Sequence, residues 1–387
     1  MDSTAISHVR TTFKALAAAE DGGVQVTRTF YSILFARYPQ MRDIFPAVME
    51  MQADRLLEAI GYVVDKLDEP DLVRGFLTQL GRDHRRYGIA EEHFYAVGGT
   101  LLSTLERFAG TELWTDEVED AWREAIALIA ATMIEALNEG GEPATWTGTV
   151  VEHKQVLQDV AVIRLQLNQP MHYGAGQYVG VSVPGRPRMW RYLSPAIPAN
   201  EAGQIEFHVR RVAGGWVSAS MVRETRPGDV WQLSAPLGGL GVDRSRGRDM
   251  LMIGSGTGIA PLRAQVMEMA MRGRNPRVHL FAGGTYPCDL YDLDILWQLA
   301  RTNPWLTVIP VSAEDVNPWW HTDPEPVTPP GMQARLTGKL GEVVAEFGAW
   351  EDRDIQIVGS PSTVQTVKYR LQAKGTPMEN IRHDPLT

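Results

Sequence analysis

The sequence predicts three domains in series: an all-α domain over residues 1–142, a small antiparallel β-barrel over 143–245, and an α/β domain with a parallel sheet over 246–387. Three observations carry this. Apolar residues recur at helical spacing through the first third of the chain. The pattern then switches to short apolar runs punctuated by glycine and proline. It switches again to a buried strand, a glycine-rich turn and a helical run. A length of 387 residues leaves room for two or three domains of ordinary size.

In the first third, Phe30, Leu34 and Tyr38 recur every four residues. So do Tyr31 with Phe35, Leu56 with Ile60 and Val64, and Phe76 with Leu80 and His84. Residues four apart share one face of a helix. Strand-like alternation is absent, so six to eight helices are expected between residues 5 and 137. Asn138-Glu139-Gly140-Gly141-Glu142-Pro143 stops the last of them.

After Trp146 the runs 147–151, 162–167, 178–183 and 205–209 read as strands, with turns such as Arg226-Pro227-Gly228-Asp229 between them. Asp243-Arg244-Ser245-Arg246-Gly247-Arg248-Asp249 has no apolar residue and marks the second boundary. Beyond it, a continuous apolar strand at 250–253, a helix at 259–271 and a strand at 278–282 alternate as in a parallel sheet. The segment 318–331 holds five prolines and the pair Trp319-Trp320. It is expected to be a surface excursion packed by its own aromatics, with a lid as the sharper alternative. No internal repeat is found.

Composition excludes several classes. Forty-seven acidic residues against 37 basic ones leave a charge of -10, which argues against nucleic acid or an anionic membrane as main partner. The single cysteine, Cys288, rules out an internal disulfide framework and any cysteine-based zinc or iron–sulfur centre. The first residues have neither a basic nor an apolar signal segment, and the most apolar stretch, 125–137, is too short to span a bilayer. A soluble cytoplasmic protein with no integral membrane segment is expected.

Chemistry-bearing residues cluster in each part. His84 continues the face of Phe76 and Leu80. Alone, such a histidine is more often a satisfied surface residue than a ligand. Gln52 precedes Leu56 by one turn, putting a polar and an aliphatic group on one face, and Tyr31 and Phe45 are aromatic candidates for a flat apolar pocket. In the barrel, Arg191-Tyr192-Leu193-Ser194 follows a strand, and Gly214-Gly215-Trp216-Val217-Ser218 opens a short helix, where free N–H groups suit a phosphate. In the third domain, Gly254-Ser255-Gly256-Thr257-Gly258-Ile259-Ala260-Pro261 lies between a strand and a helix, the context of a dinucleotide diphosphate site. Pro261 stands where a third spaced glycine would, and Gly283-Gly284-Thr285 lacks a ribose-binding carboxylate.

Phe30-Tyr31-Ser32-Ile33-Leu34-Phe35, Ile44-Phe45-Pro46, Gln52 with Leu56, and His84 through Tyr87-Gly88-Ile89 to Val97-Gly98 resemble the globin domain of flavohaemoglobins. The barrel, the glycine-rich turn and Val358-Gly359-Ser360-Pro361 resemble the ferredoxin–NADP reductase superfamily, and the order of the three parts is the flavohaemoglobin order. The resemblance implies haem b with His84 as proximal iron ligand. Tyr31 and Gln52 would stand on the distal side, with Leu56 restricting the pocket and Phe45 packing on the porphyrin. It implies FAD held by Gln177, Tyr178, Arg191, Leu193, Ser194, Gly215, Val217 and Ser218, and NAD(P)H at Gly254, Gly256, Thr257, Gly258 and Pro261.

Several positions depart from the family pattern. Phe94 stands where a tyrosine bonds the proximal histidine and a glutamate; Glu139 is the best match for that glutamate and Glu135 the fallback. Leu193 replaces the tyrosine that packs on the flavin, and Tyr192 beside it faces the other side of the strand. Ala175 replaces a proline, and Val358 replaces a cysteine beside the nicotinamide. Leu386 takes the place of a C-terminal aromatic cover. Cys288 lies elsewhere and reads as an inert thiol. The implied function is an oxidoreductase passing electrons from a reduced donor through FAD to haem, with oxygen-dependent nitric oxide detoxification to nitrate. Two rivals stay open: oxidation of a hydroxy acid such as D-lactate at the flavin, and a haem-based oxygen or redox sensor with a vestigial reductase. The small-molecule partners implied are oxygen, nitric oxide and the donor.

Overall fold

The computed structural model describes residues 1–18, 22–46, 49–138 and 143–384. They form two compact units, Met1–Thr145 and Trp146–Thr387.

The first unit has six α-helices among the described residues: α1 (Ser3–Ala18), α2 (Gly22–Arg37), α3 (Glu50–Lys66), α4 (Pro70–His84), α5 (Glu91–Leu113) and α6 (Asp116–Asn138). Short 3-10 turns follow α2 at Pro39–Asp43 and α4 at Arg85–Tyr87. The expected stripes point inward: Phe30, Leu34 and Val64 are buried in one core cluster. On α4 the fully buried face is Val73, Leu77 and Gly81, while the neighbouring stripe of Phe76, Leu80 and His84 stays half-buried. A Cβ on Gly81 would lie 2.6 Å from the Met133 carbonyl oxygen and 2.9 Å from the Ala136 Cβ. Only glycine lets α4 lie this close to α6, and this contact fixes the helix end that carries His84.

The second unit holds two sheets. The first contains β1 (Thr145–Leu157), β2 (Val160–Leu167), β3 (Tyr178–Ser182), β4 (Arg191–Leu193), β5 (Gln204–Arg210) and β6 (Val230–Leu237), in the order β4-β3-β6-β1-β2-β5. β4 with β3, β3 with β6, β1 with β2 and β2 with β5 pair antiparallel, and a bridge from Pro195 to Phe207, with the Ala196 N–H donating to the Glu206 carbonyl at 2.8 Å, brings the two edges together into a barrel. A short helix, α7 (Trp216–Arg223), follows β5. Arg191-Tyr192-Leu193, read from sequence as following a strand, is itself the edge strand β4.

The second sheet is parallel. Its elements are β7 (Asp249–Ser255), α8 (Ile259–Ala270), β8 (Val278–Gly284), α9 (Leu293–Thr302), β9 (Leu306–Ser312), β10 (Leu336–Thr337), α10 (Leu340–Glu346), β11 (Arg353–Val358), α11 (Pro361–Ala373) and β12 (Ile381–Arg382). The strand order β10-β9-β8-β7-β11-β12 runs outward from β7 in both directions. The order therefore reverses between β7 and β11, and the crevice beyond the carboxyl ends of those two strands is where open α/β sheets bind ligands.

The barrel and the parallel layer belong to one compact unit, and a buried arginine joins them. Arg263 of α8 is 3% exposed. It donates from Nε to the Ala196 carbonyl at 2.9 Å, from Nη1 to Asp292 at 2.9 Å, and ion-pairs with Glu206 of β5. The proline-rich segment departs from expectation. Trp319 is 92% exposed and does not pack it, Trp320 meets the neighbouring His321 edge-on at 6.1 Å, and Arg335 holds the segment through Glu325 at 3.2 Å. No described helix is long and apolar enough to cross a membrane.

Candidate functional site

In the helical unit, His84 closes α4. Its Nδ1 lies 2.7 Å from the Leu80 carbonyl one turn earlier. A carbonyl only accepts, so Nδ1 carries the proton and Nε2 keeps the lone pair. Nε2 has no hydrogen-bond partner among the described residues. Burial pushes the imidazole below its ordinary range, against the pull of the Leu80 carbonyl, and so favours the neutral, ligating form. The Phe94 ring packs 6.1 Å from the His84 ring and offers no hydroxyl. Glu135 is exposed and has no partner among the described residues; Glu139 lies outside them.

Tyr31 sits in an aromatic group of Phe30, Phe35 and Phe45, with ring centroids 4.9, 5.8 and 5.5 Å away. Its hydroxyl donates to the Gln52 backbone carbonyl at 3.4 Å. Burial pushes the phenol up to about 12, with the Gln52 side chain pulling the other way. Tyr31 thus remains a proton-bearing donor at any physiological pH. Gln52 and Leu56 share α3 and are both half-buried.

These residues fit a haem. The core of the helical unit is bordered by 22 half-buried apolar side chains among the described residues, against four to six around each of the other three clusters. Phe35, Phe45, Leu56, Phe76, Leu80 and Val97 are among them. Half-wet apolar side chains on the helices that carry Tyr31, Gln52 and His84 suit an apolar ligand. A histidine with a fixed tautomer and a bare Nε2 supplies the iron ligand.

In the barrel, register puts Leu193 opposite Val179, Tyr192 opposite Gly180, and Arg191 opposite Val181. Leu193 and Arg191 therefore share a face, and Tyr192 lies on the other, edge-on to Tyr178 at 5.1 Å. The half-buried Ser194 hydroxyl has no partner among the described residues. Gln177 accepts from the Gly174 N–H at 2.7 Å and donates to the Gly238 carbonyl at 3.1 Å, so it braces this edge. Val217 is fully buried, leaving only its backbone to face a ligand. The Ser218 Oγ accepts from the Val212 N–H at 3.0 Å and closes the turn around Gly215, keeping its own proton to donate. Two hydroxyl donors and the start of α7 suit a flavin with its phosphates.

In the parallel sheet, Gly254 lies near the end of β7, Gly256, Thr257 and Gly258 form the turn into α8, and Pro261 is buried in the first turn of α8. A Cβ on Gly258 would lie 2.4 Å from the Val358 carbonyl oxygen and 3.0 Å from the Gly359 nitrogen. The turn thus presses on the end of β11 at the reversal of strand order. Burial pushes the Cys288 thiol up to about 11, leaving it protonated and unreactive.

Sequence reasoning missed Asp384. Its carboxyl oxygen lies 2.9 Å from where a Cβ on Gly238 would stand, beside the Tyr178 ring. Burial pushes it up to about 6, while the Gly239 N–H pulls the other way. The only hint was a His383-Asp384 pair in a short tail. Leu386 lies outside the described residues.

Comparisons with known proteins agree with this layout. The globin family model matches residues 28–133, an oxidoreductase FAD-binding domain 147–241, and an oxidoreductase NAD-binding domain 252–328. A flavohemoprotein of Pseudomonas putida is 26% identical, covering 94% of this chain and 93% of its own. The reductase component DmpP of phenol 2-monooxygenase from a Pseudomonas species is 30% identical over 41% of this chain and 45% of its own. The flavohemoglobin of Malassezia yamatoensis, solved with bound FAD and heme, shares the fold with a TM-score of 0.80 at 16% identity, covering 100% of this chain and 99% of that one. With a globin followed by FAD-binding and NAD-binding oxidoreductase domains, and a flavohemoprotein similar over 94% of this chain, the chain has the domain order of the flavohaemoglobins, and its cofactors are haem, FAD and NAD.

Proposed function

We propose that this flavohaemoprotein oxidoreductase takes electrons from NAD(P)H and uses them for the oxygen-dependent conversion of nitric oxide to nitrate in the cytoplasm. We assign the haem domain to residues 1–142, the FAD barrel to 143–245 and the dinucleotide domain to 246–387. The observation that carries the reading is the pairing of two groups in one helical unit: His84 with a bare Nε2, and Tyr31 with a buried, un-ionised hydroxyl beside Gln52. Haem supplies one-electron iron chemistry and FAD converts a hydride into single electrons.

The chain's own residues do the rest. His84 would hold iron from one side, oriented by its Nδ1–H on Leu80. Tyr31 would turn its one hydroxyl proton from the Gln52 carbonyl toward oxygen held in the pocket, and Gln52 would keep that hydroxyl in place. Leu56 and Phe45 would exclude water and larger ligands. Arg191, Ser194 and Ser218, with the backbone of Gly215 and Val217, would hold FAD; Gln177 and Tyr178 brace its edge. The turn of Gly254, Gly256, Thr257 and Gly258, closed by Pro261, would take the dinucleotide.

An anaerobic absorption spectrum of the protein loaded with haem and FAD, taken before and after NADH or NADPH, tests the reading. Flavin bleaching and a shift of the haem band within seconds, followed by nitrate formation on mixing with oxygen and nitric oxide, are expected. Bands that stay oxidised with both dinucleotides but respond to dithionite would refute the donor.

One observation favours a second donor, a small hydroxy acid such as D-lactate. Leu193 leaves the expected flavin-facing position without an aromatic ring, and Tyr192 is turned onto Tyr178. Bleaching by D-lactate and not by either dinucleotide would establish it.

A further inference from the structure

We propose that Gln265 and Gln356, a buried pair of amides, are positioning residues that hold the dinucleotide turn in register with the flavin edge. This rests on the reading that the barrel holds FAD with Gln177 and Tyr178 at its edge, and that the turn of Gly256 to Gly258 takes NAD(P)H.

The two amides bond each other in both directions. Gln265 of α8 donates from Nε2 to the Gln356 Oε1 at 2.7 Å, and Gln356 of β11 donates from Nε2 to the Gln265 Oε1 at 3.0 Å. The Gln356 Nε2 also donates to the Gly241 carbonyl at 2.9 Å, in the segment that leads out of the barrel after β6. The two residues are 0% and 2% exposed. Each partner is tied to the dinucleotide side. α8 starts directly from the turn of Gly256 to Gly258. Gln356 shares a face of β11 with Val358, which pairs with Gly254 and whose carbonyl oxygen meets the turn at Gly258. The flavin side comes equally close. Gly176 has φ +105°, and a Cβ there would lie 2.8 Å from the Gln265 Nε2 and 2.6 Å from the Leu240 carbonyl oxygen. Glycine alone permits that approach, and the next residue is Gln177.

Stability does not account for the pair. Replacing both members of a buried polar pair by apolar groups of like shape costs little or nothing. Amides add direction: their hydrogen bonds fix distance and rotation where apolar packing lets elements slide. Arg263, two residues earlier and so on the far side of α8, meets the Ala196 carbonyl, two residues past Ser194. A helix held to the barrel on two sides cannot turn about either contact. In the transfer one hydride leaves the dinucleotide, which is oxidised, and the flavin is reduced by two electrons. The glutamines take no part in that bond change. They set the approach of donor and acceptor, where a misplacement of about 1 Å costs about 100-fold.

The experiment compares Gln265→Met, Gln356→Met and the double variant, each as the FAD- and haem-loaded full chain. Calorimetry reads stability. Anaerobic stopped-flow mixing with NADH and NADPH reads the limiting rate of flavin bleaching and the dinucleotide Kd. Hydrogen exchange with mass spectrometry reads segments 174–178 and 238–242. Each single variant leaves an amide unpaired and should melt lower, and the double variant should recover most of that loss. The rate should not recover: in the double variant it is expected about 10- to 100-fold below wild type, with Kd within about twofold and FAD content unchanged. Faster exchange should be confined to the two segments. A rate that recovers together with the melting temperature shows a purely structural pair and overturns the proposal. So does a loss that falls on Kd alone, or exchange that does not change. If neither dinucleotide bleaches the flavin of the unmutated chain, the donor reading fails first and this proposal with it.

Discussion

Replacing Arg263 by methionine should destabilise the second unit far more than an ordinary surface change, and more at neutral pH than in acid. Arg263 compensates two buried carboxylates at once. Burial opposes ionisation of Glu206, but His208, Arg263 and Arg164 together hold its carboxyl far below the usual range. Without Arg263, Glu206 keeps Arg164 at 2.7 Å. Asp292 keeps nothing comparable. It is 8% exposed, its Oδ2 already lacks a partner among the described residues, and burial raises its carboxyl despite Arg263. Breaking a buried pair by removing one partner costs about 3–5 kcal/mol. At about 2–4 °C per kcal/mol for a unit of this size, the transition should fall by roughly 6–20 °C. The sign with pH follows from Asp292. In the variant its folded pKa rises further above the unfolded value, so stability is kept while the group is protonated and lost as pH rises from about 4 through that folded pKa. Each uncompensated group contributes up to about 1.4 kcal/mol per pH unit in that window. Scanning calorimetry of the loaded chain, with FAD release marking the second unit, reads the effect. The gap to wild type should widen between pH 4.5 and 7.5, and Arg263→Met/Asp292→Asn should recover a large part of it. A loss below about 1 kcal/mol, or one that does not change with pH, would show that the network is not what joins the two sheets.

Three other outcomes follow from single positions. Gly258→Ala puts a Cβ 2.4 Å from the Val358 carbonyl oxygen, an overpacking worth about 1–3 kcal/mol; calorimetry should show that loss, and dinucleotide affinity should drop while the haem spectrum stays unchanged. Tyr31→Phe removes one long hydrogen bond and should change stability by less than about 1.5 kcal/mol, yet speed oxygen release, read by stopped-flow, about tenfold. Because the Tyr31 phenol is pushed up to about 12, the wild-type rate should show no tyrosine ionisation between pH 6 and 10. Asp384→Asn should raise the melting temperature at pH 7.5 and not at pH 4, since a carboxyl raised to about 6 costs stability as pH climbs through its folded pKa; a gain of equal size at both values would remove burial of the charge as the cause.

Local periodicity made the scaffold legible. Four-residue stripes, alternating strands and one uninterrupted apolar run each report a face buried against neighbours, and the sheets and helices follow them. The misses have physical reasons. β4 is only three residues long, too short to show a period. The aromatics at 319 and 320 promised burial, but a segment with five prolines cannot fold back on so small a pair, and polar links hold it instead. The joint between the sheets was invisible because Arg263 meets Glu206 and Asp292 at separations of 57 and 29 residues, and no local pattern encodes such a meeting.

The candidate site divides in the same way. Residues placed by backbone geometry could be read from sequence: His84 at a helix end, glycines where a Cβ would strike a carbonyl, Ser218 closing a turn. Residues held by contacts across the fold could not, and Arg210, which meets Asp289 at a separation of 79 residues, and Asp384 beside Gly238 are both of that kind. The positions where this chain departs from the flavohaemoglobin pattern have a common character. Phe94 beside His84, Leu193 on β4 and Val358 beside Gly258 each set an aliphatic or hydroxyl-free side chain where the resemblance implies a hydroxyl, a ring or a thiol, and the close approaches at Gly81 and Gly258 fix the backbone around them. The turns that would face the cofactors are set by close packing, and the side chains at 94, 193 and 358 would bear on how readily electrons enter and leave them.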